Sequence, residues 1–168
     1  QHFQVLTRSL LEHGLLWWSG KKRLQQLVKD EGLEHWQAVA DRPVIWLVPH
    51  FVGLDMGGSR IAAEYRAASM FSRQKDPTLD AVLYRGRTRF VMPRLVSRQE
   101  GIRSLVKVIR EGLPFYYLPD MDLGPRDSVF APFFGVETAT ITALSRIAAM
   151  AGAVIVPCVT RRLPGSAG

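Results

Sequence analysis

The sequence predicts an α/β fold, a mostly parallel central sheet flanked by helices, with an amino-terminal helical segment ahead of it. Three observations carry this. Val44-Ile45-Trp46-Leu47-Val48 and Phe115-Tyr116-Tyr117-Leu118 are continuous apolar runs without alternation, which suits strands buried on both faces of a parallel sheet. Segments with helical spacing separate such runs, and alternating strand and helix is the pattern of that fold class. The chain has 168 residues, of which 47% are hydrophobic and 22% charged, enough for one domain with a real core and unlike a disordered chain.

In chain order, residues 3 to 18 place Phe3, Leu6, Leu10 and Trp17 at helical spacing, with Leu11, Leu15 and Trp18 on an adjoining row. Ser19-Gly20 stops this helix, Lys21-Lys22-Arg23 follows, and a second helix is expected from Leu24 to Lys29. Paired tryptophans beside three cations fit either a membrane-interface anchor or a helix packed on its own core and ended by cations. Val44–Val48 is the first strand, and Gly53 to Ala68, free of proline, reads as a helix. Ser69–Ser72 is a strand, Pro77 opens a helix to about Gly86, and Leu95–Ser97 is a third strand. Gln99 to Glu111 carries Ile102, Leu105, Val106 and Ile109 on one face and Arg103, Lys107 and Arg110 on the other, with Gly112 past its end. After the strand at Phe115–Leu118 comes a long irregular segment from Pro119 to Val136. A small-residue helix from Ala139 to Ala151 and a last strand from Ala153 to Val156 complete the core. Residues 1–42 form the helical lead-in and 43–168 the α/β core of a single domain. Gln1 at one end and Leu163-Pro164-Gly165 near the other suggest an internal piece of a longer protein.

The 22 basic and 15 acidic residues give a formal charge of +7, which directs attention to nucleic acid, an acidic partner protein or an anionic membrane surface. No uninterrupted apolar run, Pro43 to Pro49 among them, reaches the ~20 residues that span a bilayer. One cysteine, Cys158, excludes a disulfide scaffold and a multi-cysteine zinc site, and it reads as a buried small hydrophobe. G-x-S-x-G, Walker A and G-x-G-x-x-G motifs are absent, as are helix-turn-helix and RNP signatures, so nucleic acid is not expected as a partner.

Ligands of such sheets sit beyond the carboxyl ends of the strands, where two polar segments leave the buried runs: His50 to Asp55 and Asp120 to Asp127. His50 ends the first strand, and Gly53 lets the chain turn so that Asp55 meets it from the next helix. A carboxylate on one imidazole nitrogen leaves the other free as a general base. The plainer alternative is a histidine at the sheet edge and an aspartate placed for a helix dipole. Asp120-Met121-Asp122 reads either as a D-x-D element holding a divalent ion for a nucleotide-sugar transferase or as loop carboxylates paired with Arg126. Arg85-Gly86-Arg87-Thr88-Arg89, with Arg94 and Arg98, is either a phosphate site or a solvated basic face. His2, His13 and His35 have no partner at metal-ligand spacing, and neither metal nor cofactor is expected.

Together these segments resemble the bacterial lipid A biosynthesis (lauroyl/myristoyl) acyltransferases of the lysophospholipid acyltransferase superfamily. H-F-V-G-L-D at 50–55 is similar to the superfamily's H-x4-D/E motif, and Y-R-G-R-T-R-F at 84–90 to its arginine block. R-Q-E-G-I-R-S-L-V-K-V-I-R-E-G at 98–112 matches the following helix, and L-P-D-M-D-L-G-P-R-D-S-V-F-A-P-F-F-G at 118–135 is the most specific block. The resemblance implies acyl transfer from an acyl carrier protein or acyl-CoA thioester to a hydroxyl of a lipid A precursor, an anionic lipid, at the cytoplasmic face of the bacterial inner membrane; a phospholipid or other membrane-lipid acyltransferase and a non-enzymatic basic lipid-binding domain are the alternatives. In it His50 is the general base and Asp55 orients it. Arg87, Asp120, Arg126 and Asp122 would hold the substrate or the site, and Phe130, Phe133 and Phe134 would wall an acyl tunnel. Asp55 stands where these enzymes commonly have Glu.

Overall fold

The computed structural model describes residues 2–90, 94–97, 100–122, 124–126 and 128–163, less the side chains at positions 2, 5, 6 and 10. The expectations that fell on Arg98, Gln99, Asp127 and the side chains of His2, Leu6 and Leu10 lie outside these.

The helical lead-in comprises α1 (His2–Trp18), α2 (Lys21–Leu27) and a short α3 (Leu33–Gln37). There follow β1 (Val44–Leu47), α4 (Leu54–Ala62), β2 (Ala68–Phe71), α5 (Pro77–Arg87), β3 (Arg94–Ser97), α6 (Gly101–Arg110) and β4 (Phe115–Tyr117). A hairpin of β5 (Ser128–Phe133) and β6 (Val136–Ile141), then α7 (Ala143–Ala151) and β7 (Val154–Pro157), end the described fold. Five strands form one parallel sheet in the order β3-β2-β4-β1-β7, so the fold class and the five sheet strands are as expected.

Both faces of the sheet are covered, and the period-two alternation of β1 divides the core. Ile45 joins Phe115, Leu105, Ile109 and Ile147 under α6 and α7. Val44, Trp46 and Val48 face the other way, with Trp36, Leu54, Ile61 and Tyr65 from α3, α4 and the turn after it. Trp36, which no periodicity singled out, stands edge-on to Trp46 with ring centroids 5.1 Å apart. Leu16, Leu24 and Ala63 then lash α1 and α2 to the outside of α4.

Two expected helices are shorter in the structure. The one from Gly53 to Ala68 ends at Ala62, because Ala68 is taken into the sheet, paired in parallel with both Arg94 and Phe115. The one from Ala139 begins at Ala143, because Val136–Ile141 pairs antiparallel with Ser128–Phe133 in the segment that read as irregular. The β-branched residues of V-E-T-A-T-I favour the strand. Arg60, which sequence reasoning passed over, is buried in α4. Its guanidinium meets Asp30 at 2.5 Å and Glu64 at 3.0 Å, fastening α4 to the connection after α2.

Candidate functional site

Strands β1 and β4 are neighbours, and their register pairs Leu47 with Tyr117. Each strand then runs through one apolar residue and a proline to a polar one: Val48-Pro49-His50 and Leu118-Pro119-Asp120. The ladder continues for one more bond, Val48 N–H to the Tyr117 carbonyl at 2.8 Å. Pro49 has no N–H to extend it. The next donor, the His50 N–H, turns instead to Asp120 Oδ2 at 2.7 Å. Asp120 Oδ1 lies 2.7 Å from His50 Nδ1. A carboxylate is acceptor-only when ionised, so in the neutral form of the ring this contact puts the proton on Nδ1 and leaves the lone pair on Nε2.

The place is the one where the fold can hold a ligand. The chain leaving β1 passes to α4 on one face of the sheet, and the chain leaving β4 passes through the hairpin to α7 on the other. Adjacent strands whose successors diverge in this way open a crevice at their carboxyl ends. His50 and Asp120 stand in it with side chains 39% and 38% exposed, covered enough to be held and open enough to meet a substrate. Burial raises the Asp120 carboxyl, but the His50 backbone N–H and imidazole outweigh it and bring its pKa below the ordinary value.

Asp55, expected to orient His50, has its carboxylate beside another histidine. Asp55 occupies the first turn of α4, entered through Gly53 at φ 100°, a conformation that disfavours any side chain. Its Oδ2 faces Nε2 of His13 on α1, at 3.4 Å. His13 is itself held by Nδ1 against the Ser9 carbonyl at 2.8 Å and packs edge-on to Trp17. Two imidazole–carboxylate pairs therefore flank the turn that carries His50: His50–Asp120 inside the crevice and His13–Asp55 between α1 and α4. Burial first, then the charges of Cys158 and Asp55, push the Tyr116 phenol well above its ordinary pKa, and its OH points at the Leu54 carbonyl.

The remaining expected site residues are spread along the same edge of the sheet. Asp122 accepts the Gly124 N–H at 2.7 Å and so shapes the loop behind Asp120. With Asp120 engaged by His50, the two acids of D-x-D serve different neighbours. Arg126 is exposed on that loop. Arg87, at the end of α5, lines a hollow with Phe71, Ser72, Asp80 and Tyr84 at the ends of β2 and β3. It thus sits across β2 from Asp120 rather than in the His50 crevice. Phe130, Phe133 and Phe134 are 61%, 65% and 93% exposed on the β5–β6 hairpin. The missed partner of His50 had a signal in the sequence, namely the repeat of apolar-Pro-polar after two buried runs. The His13–Asp55 contact had none.

A family model described as bacterial lipid A biosynthesis acyltransferase matches residues 1–168. The lipid A biosynthesis acyltransferase 2 of Shigella flexneri is 37% identical over 141 residues, 82% of this chain and 45% of that protein. The lipid A biosynthesis lauroyltransferase of Escherichia coli (strain K12) is 30% identical over 171 residues, covering 100% of this chain and 55% of that protein. The lipid A biosynthesis myristoyltransferase of the same strain is 36% identical over 141 residues, 82% and 43% respectively. The chain spans about half the length of the curated relatives it matches.

Proposed function

The chain belongs to the bacterial lipid A biosynthesis acyltransferase family, and from that premise we propose that it carries the catalytic pair for transfer of a fatty acyl chain to a lipid hydroxyl. His50 Nε2 takes the hydroxyl proton as the oxygen attacks the thioester carbonyl carbon. The new C–O bond forms, the C–S bond breaks, and the imidazolium returns its proton to the leaving thiolate. An alcohol is a poor nucleophile at neutral pH, which is why a general base is needed, and no acyl-enzyme is formed. Asp120 holds the productive tautomer and stabilises the imidazolium as it forms. Asp55, drawn to His13, steadies the turn that presents His50.

The donor is an acyl carrier protein thioester or acyl-CoA, and the acceptor is an anionic lipid A precursor at the membrane surface. Arg126, on the loop behind Asp120, and Arg87, across β2 from it, supply guanidinium groups for its phosphates. The observation that supports this reading most is the doubly bonded His50–Asp120 pair at the diverging strand ends. No helix among the described residues is long and apolar enough to cross a membrane.

The test uses the full-length protein with an acyl carrier protein thioester, an acyl-CoA and a lipid A precursor, each product being identified by mass. His50→Ala should abolish the gain of one acyl chain by the acceptor, and a chelator should leave the wild-type reaction unchanged. Transfer that survives His50→Ala would defeat the proposal, and loss on chelation would return the D-x-D acids to a metal role.

A further inference from the structure

The β5–β6 hairpin carries a contradiction that the isolated chain does not resolve. Its two-residue turn is Phe134-Gly135, with φ of 51° and 80°. Such turns favour Asn or Gly at both positions, because a side chain at positive φ crowds the backbone, and a bulky aromatic is an outlier there. Burial does not compensate, since Phe134 is 93% exposed. Around it Phe133 and Val136 close the hairpin as an exposed apolar pair, and Phe130 and Val129 extend the apolar surface down β5. Phe133 and Phe134 stack edge to face with centroids 4.7 Å apart. Glu137 is the one charged side chain on these two strands. A tip with two exposed phenyl rings, and a third further down β5, is built neither for the turn nor for water.

Its attachment gives the tip a direction. The strand β5 follows directly from the loop that contains Asp120, Asp122 and the exposed Arg126. Whatever holds the tip therefore sets the height of the His50 crevice relative to it. A net charge of +7 favours an anionic surface as the holder. Aromatic rings ahead of a cation at the neck match the sequence of environments on entering a lipid leaflet, hydrocarbon first and headgroup second.

We propose that the β5–β6 hairpin is a wedge that enters an anionic lipid leaflet, with Phe134 deepest and Arg126 at headgroup level. The inference rests on the lipid-acceptor reading above and adds how that acceptor comes within reach of His50. Insertion buries rings that the fold leaves wet, and the strained turn is kept for that purpose.

The backbone strain makes a clean test available. Phe134→Asn suits the turn and should raise the melting temperature or leave it unchanged, while weakening co-sedimentation of the full-length protein with vesicles of phosphatidylethanolamine and phosphatidylglycerol. Loss of one buried phenyl ring corresponds to about a tenfold or larger fall in partition, and Phe133→Ser with Phe134→Asn should remove most of the binding. His50→Ala should bind vesicles as the wild type does, so failure of the acyl-transfer reading and failure of the wedge are told apart. The second readout is an environment-sensitive dye on Phe134→Cys in a Cys158→Ser background. Its emission should shift to the blue only when vesicles are added, and a lipid-borne quencher should reach it. Unchanged vesicle binding of the double variant would overturn the proposal. So would a dye already shielded without lipid, which would show the tip packed on the remainder of the protein.

Discussion

Replacing Asp120 by Asn changes one atom and reverses one hydrogen bond. The amide oxygen can still accept the His50 N–H, a contact of 2.7 Å in the wild type. The NH2 group then faces Nδ1, where Oδ1 stands at 2.7 Å. A donor there demands a lone pair on Nδ1, so the proton moves to Nε2 and the base loses its acceptor. General-base catalysis contributes about 10²–10⁴ in rate. Both side chains are nearly two-fifths exposed, so water partly replaces the lost carboxylate and the lower part of that range applies. We expect kcat to fall by about 10²–10³ with little change in KM, because the substrate's binding contacts lie elsewhere. Single-turnover transfer from a thioester donor, read as released thiol, measures this directly. Burial, reinforced by the Asp30 charge, keeps the Cys158 thiol protonated and slow toward the thiol reagent. Asp55→Asn should cost less than Asp120→Asn. A loss under about threefold in Asp120→Asn, with a large loss in Asp55→Asn, would make Asp55 the orienting group instead of Asp120.

The pH dependence of folding offers a second check. Asp120 has its native pKa below the ordinary 3.8, so its contribution to stability is complete above that value and is lost as pH falls through the lowered one. Glu64 shifts the same way, through Gln25 first and Arg60 second, so the comparison must be with Asp120→Asn, whose urea-unfolding free energy should fall less steeply below about pH 4. Arg60→Ala strands the carboxylates of Asp30 and Glu64 and should destabilise the fold by about 2 kcal/mol in urea unfolding. This is below the 3–5 kcal/mol of a fully buried pair, because water can reach both acids.

What could be read from the sequence follows a physical division. Strands β1 and β4 were legible because burial on both faces leaves continuous apolar runs, and α6 because a buried face and a basic face alternate at helical spacing. The hairpin was not, since its strands bury little and the P-D-M-D-L-G-P-R-D stretch ahead of them is rich in loop residues. Likewise His50 and the loop of Asp120 were placed correctly at strand ends, but their pairing depends on β4 lying beside β1. That is a matter of strand order, which no local pattern encodes. Five residues separate His50 from Asp55 in the chain, whereas 70 separate it from Asp120, and the parallel register made the distant partner the close one.

Asp120 fixes the His50 tautomer and so frees Nε2 for the acceptor proton, which can be read on the ring itself. Long-range proton–nitrogen correlation of the His50 ring, at a pH where the imidazole is neutral, tests it most directly. Nδ1 should be protonated and Nε2 unprotonated, with the two exchanging places in Asp120→Asn. A wild-type ring protonated at Nε2 would contradict it.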